Sequence, residues 1–135
     1  MPMQSNKKVG DREDLWPETL ATIDMATPVS ILRQQASLLA GKTAGVLEGE
    51  VKTRIDEKGN FIHDFYLVAP ALDGYRYRLL TVIHPAALYP AAVYSDIYQF
   101  EADSEETLKS TLRDLLSSPR TRSLINGMVA QCQDG

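Results

Sequence analysis

Between residues 44 and 100 the chain carries four consecutive runs of strand-forming residues joined by short turn signals, and this places a sheet at its centre. The runs are Gly45–Ile55, Phe61–Leu72, Tyr75–His84 and Tyr89–Phe100. They are rich in Val, Ile, Tyr and Phe, whose side chains pack well on a pleated surface. Helical segments lie on both sides. The predicted class is α+β: a four-stranded antiparallel meander with one N-terminal and two C-terminal helices, in the order αββββαα.

The helix boundaries have chemical signals. Thr27-Pro28 offers a hydroxyl cap followed by proline at the first helical position, and Gly41 marks the expected stop, so the spacing predicts a helix to about Ala40. Val29, Ile31, Leu32, Ala36, Leu38 and Leu39 cover about half its circumference, as in a helix lying on a sheet. Gln35 falls inside that apolar arc, where its amide either bonds at the helix boundary or meets a bound group. Asp103 or Ser104 caps the next helix, Glu105 and Glu106 complement its dipole, and Leu108, Leu112, Leu115 and Leu116 form its stripe. Ser118-Pro119 repeats the cap-plus-proline signal, and Leu124, Ile125, Met128 and Val129 make the last helix amphipathic.

A chain of 135 residues suffices for one sizeable core. Residues 27–135 read as a single α+β domain, and 1–26 as a flexible N-terminal arm. The arm carries Leu15, Trp16, Leu20, Ile23 and Met25 in a stretch broken by Pro17. It is expected either to tuck Trp16 onto the domain or to serve as a linear motif for a partner. Eighteen acidic against fourteen basic residues give a net charge of −4, which argues against general nucleic-acid binding. Cys132 is the single cysteine, so no internal disulfide framework exists. No apolar run approaches the roughly 20 residues that span a bilayer, and Lys7, Lys8 and Arg12 precede no secretory apolar stretch. A cytoplasmic protein without a membrane partner is expected.

Turn signals set an expected register. Asp73-Gly74 as a two-residue loop places Leu72 opposite Tyr75, Leu67 opposite Leu80, Phe65 opposite Val82 and His63 opposite His84. Glu57–Asn60 as the preceding loop pairs Ile55 with Ile62 and Arg54 with His63; Pro85–Leu88 as the last loop pairs Leu80 with Val93. A bulge or early strand end is expected near Pro70. In this register one face collects Leu47, Val51, Ile55, Ile62, Val68, Leu79 and Ile83 with Tyr66, Tyr77 and Tyr94, and is the expected core face. The other has Phe65, Leu67, Leu80, Val82 and Val93 at its centre and Glu48, Glu50, Lys52, Arg54, Arg76 and Arg78 at its margin. An apolar centre inside a charged ring suits a protein-binding surface, whereas the competing reading has one of the three helices covering this face too.

Candidate chemistry is sparse. His63 and His84, as cross-strand neighbours, are placed to share a ligand or act as a pH-sensitive pair, but no HxxxH, HxH or CxxC spacing supplies a third metal ligand. GxSxG, GxxxxGK[ST] and GxGxxG are absent from the sequence, so neither a nucleophilic enzyme nor a nucleotide cofactor is expected. In Tyr75-Arg76-Tyr77-Arg78, strand alternation separates the aromatics from the cations, which favours an acidic protein partner or a small carboxylate ligand over single-stranded nucleic acid. The expected function is therefore a non-catalytic protein-interaction module, binding a partner or itself through Phe65, Leu67, Leu80, Val82 and Val93 with Arg76 and Arg78. The alternative is a small-ligand binder or enzyme with a pocket at His63 and His84.

Overall fold

A computed structural model describes residues 12–21 and 25–134. Residues 1–11 and 22–24 of the expected arm lie outside the described residues. The elements run α1 (Pro28–Lys42), β1 (Glu48–Ile55), β2 (Phe61–Ala69), β3 (Tyr75–His84), β4 (Ala91–Tyr94), β5 (Gln99–Ala102), α2 (Glu105–Leu116) and α3 (Pro119–Asp134). The sheet is an antiparallel meander in the order β1-β2-β3-β4-β5. It has five strands, one more than expected, because the run Tyr89–Phe100 divides in two. Ser95 makes the break: its N–H donates to the Tyr98 carbonyl at 2.9 Å, and its hydroxyl accepts from the Tyr98 N–H at 3.1 Å.

The caps act as their residue types dictate. Thr27 Oγ1 accepts from the Ser30 N–H at 3.1 Å, Ser104 Oγ from Thr107 at 3.2 Å, and Ser118 Oγ from Thr121 at 3.2 Å. Helix α1 continues past Gly41 and closes with the Gly45 N–H on the Ala40 carbonyl at 2.7 Å, with Ala44 at φ 54°. That six-to-one bond is the Schellman closure, so the stop signal lies four residues beyond the expected glycine.

Two local events change the expected faces. Asp56 Oδ1 accepts from the Lys58 and Asn60 amides, both at 2.9 Å, which closes the first loop so that Ile55 pairs with Phe61 and Thr53 with His63. This one-residue difference turns Glu48, Glu50, Lys52 and Arg54 to the other side of β1. In β3 the pairing jumps from Phe65–Leu80 to Tyr66–Arg78, leaving Leu79 as an extra residue. The bulge sits there, while at Pro70 the expected early strand end is found: β2 stops at Ala69, a 3-10 turn runs over Pro70–Leu72, and Ala69, not Leu72, pairs with Tyr75. Arg76 and Arg78 consequently share a face with the charges of β1, opposite Phe65 and Leu80. Val93 pairs with Val82.

All the central apolar residues therefore point one way, toward the helices. Phe65, Leu67, Leu80, Val82 and Val93 form one core with Leu32 of α1, Leu108 and Leu112 of α2 and Met128 of α3. The expected core face is corrected accordingly: Ile62 is buried on the outer surface, but Val68, Ile83, Tyr66 and Tyr94 are only half-buried there. Leu47, Leu79 and Val51 instead belong to the helix-covered side.

Helix α1 reaches β1 at backbone contact. A Cβ at Gly49 would stand 2.6 Å from Ala36 Cα and 2.7 Å from its carbonyl oxygen, so only glycine allows the approach. Gly49→Ala is expected to lift α1 and cost about 1–3 kcal/mol, the range of overpacking substitutions. Urea unfolding followed by circular dichroism measures the loss; an unchanged midpoint would show that helix and strand separate freely.

Candidate functional site

Where the three helices converge over the sheet they leave an open groove of about 450 Å³. Its floor is Phe65 and Leu67 of β2 with the bulged Leu79 of β3. Ile31, Gln35, Leu38 and Leu39 of α1 form one wall, Leu112 and Leu116 of α2 another, and Thr121 and Ile125 of α3 close one side. Thr121 is fixed by donating its hydroxyl to the Leu115 carbonyl at 2.8 Å, which locks the α2–α3 corner. Lys42, Lys109 and Arg113 also line the groove, and among the described residues no carboxylate does. Lys109 is tied to Glu105 of the same helix at 2.9 Å. Gln35, which the helical pattern placed within the apolar arc, is half-buried in this wall.

The residues expected to form an open sheet surface are divided by the structure. Phe65 and Leu67 are reachable only as groove floor, being 3% and 1% exposed. Leu80, Val82 and Val93 are interior, because the helices cover their face. A partner cannot dock on them without displacing that helical layer. Arg76 and Arg78 stand on the reverse side. Arg76 chelates Glu50 through Nε at 2.6 Å and Nη2 at 3.1 Å, and its guanidinium holds the Glu50 carboxyl below its usual range. Arg78 lies 4.0 Å from Asp64, a buried carboxylate that also meets Arg54 Nε at 3.3 Å and accepts the Thr81 hydroxyl at 2.7 Å. These arginines neutralise strand carboxylates; they do not rim the apolar residues.

The histidines do meet, but diagonally: His84 pairs with Phe61, and His63 with Val82. Their Nε2 atoms are 2.8 Å apart. His84 Nδ1 lies 2.8 Å from the Pro85 carbonyl, which only accepts, so that nitrogen carries a proton. In the Nδ1–H tautomer, His84 accepts at Nε2 from His63, and His63 Nδ1 accepts from the Thr53 hydroxyl at 2.8 Å. Every ring nitrogen is engaged, both side chains are buried, and Phe61 stacks on the His84 ring at 5.4 Å. Neither histidine lines the groove. Among the described residues no three His, Cys, Asp or Glu side chains gather as a metal site would require.

Burial first, then the proximity of His84 and of the Arg33 guanidinium, push His63 from 6.5 down to about 4. The folded state thus takes up its proton later than the unfolded chain as pH falls. Stability is full above pH about 6.5 and is lost toward pH about 4, by on the order of 2–3 kcal/mol. Urea midpoints across this window should show that decline in the native chain and a flatter profile in His63→Leu. Parallel profiles would mean that His63 titrates alike in both states.

No family model, curated protein or solved structure matches the chain.

Proposed function

We propose that the chain is a non-catalytic protein-interaction module that receives an acidic, apolar segment of a protein partner in the groove between α1, α2 and α3. The observation that carries this reading is the groove's composition: an apolar floor and walls, with Lys42, Lys109 and Arg113 its only charged lining groups. A concavity of this size between helices suits one or two large apolar anchors. Water held against Phe65, Leu67 and Leu116 is released when such anchors enter, which favours occupancy. Carboxylates beside the anchors then reach the ammonium and guanidinium groups at the rim, where partial desolvation strengthens each pair. The sheet's other face offers a partner less, since Arg76 and Arg54 already meet carboxylates of their own chain.

The exposed members of the lining allow a test that spares the fold. Leu38 is 46% exposed, and Lys42 and Arg113 are exposed. A fluorescein-labelled peptide with Leu and Trp anchors between glutamates is expected to bind, less tightly as salt is raised. Leu38→Glu, or Lys42→Glu with Arg113→Glu, should weaken it roughly tenfold or more, about 1.4 kcal/mol. Equal binding of a peptide with lysines in place of the glutamates would overturn the charge requirement, and fluorescence anisotropy that stays flat for both would overturn the groove as a protein site.

A further inference from the structure

The chain itself contains a segment of the kind the groove selects. Leu15, Trp16 and Leu20 are 83%, 71% and 64% exposed, and Met25 is exposed as well. Four large apolar side chains in one short stretch leave a hydrophobic surface uncovered. Between positions 11 and 25 they are interleaved with Asp11, Glu13, Asp14, Glu18 and Asp24 against Arg12. The groove has the opposite character: apolar surface with a cationic rim and no acid. Pro17 keeps the residue before it extended, and the Trp16 N–H donates to Asp14 Oδ1 at 3.0 Å, so the anchor follows a preset local turn.

Among the described residues, none of the arm lines the groove of its own molecule. Just before α1 the chain is held at the start of α2, where the Ala26 N–H donates to Glu105 Oε1 at 3.2 Å. The α2 residues that line the groove begin one turn further on, at Lys109, and extend to Ser117. The chain is therefore anchored at Ala26 beside one end of the groove, while Leu15, Trp16 and Leu20 stay exposed and do not line the groove of their own molecule.

We propose that the arm over residues 13–20 of one copy docks in the groove of a second copy, with Trp16 and its leucine neighbours as anchors and Glu13, Asp14 and Glu18 facing the cationic rim. Reciprocal exchange satisfies both arms and closes the assembly as a two-fold dimer. This rests on the reading of the groove as a site for acidic, apolar segments, and names the partner as the chain itself.

Trp16 is the single tryptophan, so its emission reports the arm alone. The full chain is expected to sediment as a dimer at high concentration, with Trp16 shielded from acrylamide, and to lose both properties together on dilution. An arm variant, Leu15→Ser with Trp16→Ser and Leu20→Ser, should be monomeric, and so should the groove variant Lys42→Glu with Arg113→Glu. Mixing the two should restore a heterodimer, because one supplies an intact groove and the other an intact arm. A monomer at every concentration, a dimer indifferent to both variants, or shielding of Trp16 that does not depend on concentration would each overturn the exchange. The groove reading is judged separately: the labelled peptide is titrated into the arm variant, whose groove is unaltered. Peptide binding there alongside a monomeric native chain sinks the exchange only, whereas loss of peptide binding sinks the reading beneath it.

Discussion

The contact between Ala36 of α1 and Gly49 of β1 sets the position of the helical layer. Backbone meets backbone there, so α1 lies unusually close to one edge of the sheet. Five strands at about 4.8 Å spacing make a sheet roughly 19 Å across, about two helix diameters. With α1 drawn onto β1 and the start of α2 held beside β5 by Ala102 and Leu108, the middle strands lie beneath the seam between helices. Phe65, Leu67 and Leu79 occupy those strands, and they become the floor of an unfilled space. The groove is thus a geometric result of where one glycine allows a helix to sit.

The helices were legible in the sequence because their ends are written in local chemistry. A hydroxyl before proline at Thr27-Pro28 and Ser118-Pro119, and Ser104 before two glutamates, depend on nothing distant. The strand faces were not legible for the opposite reason. Alternation is read relative to a register, and register was decided by two details with weak signals: the Asp56 side chain drawing in Asn60, and one unpaired residue at Leu79. Either shift exchanges the two faces of a strand. Together they turn the charges of β1 and β3 away from the face of Phe65 and Leu80 and bring Val51 and Leu79 to it, which removes the charge-rimmed surface that Phe65, Leu80 and Arg78 had suggested.

The groove was harder still to foresee. Its lining comes from three helices and two strands, with Leu38 and Arg113 far apart in the chain, and no spacing within any one element announces it. One clue existed: the apolar arc of α1 is wider than a helix resting on a single surface needs. Ile31, Leu32 and Ala36 serve the sheet, while Leu38 remains 46% exposed and turns with Gln35 toward the space beside α2. The histidines illustrate the converse. Their conspicuousness in the sequence came from rarity, yet Thr53, Pro85 and each other satisfy both rings, so their chemistry is consumed in holding β1, β2 and β3 together.

On the proposed reading of the groove, its electrostatics would also constrain how a partner is chosen. The chain as a whole carries a net charge of −4, so an acidic segment approaching from a distance meets repulsion. Only within a Debye length, about 8 Å at physiological salt, does the cluster of Lys42, Lys109 and Arg113 outweigh that field. Charge therefore contributes little steering and acts after apolar contact has begun, as a check on what accompanies the anchors. A neutral apolar segment would gain the same burial but leave Lys42 and Arg113 partly desolvated beside it, and a basic one would add repulsion. Discrimination would then arise at short range and be carried mainly by the dissociation rate, which is how a shallow apolar groove would avoid binding every exposed leucine it meets.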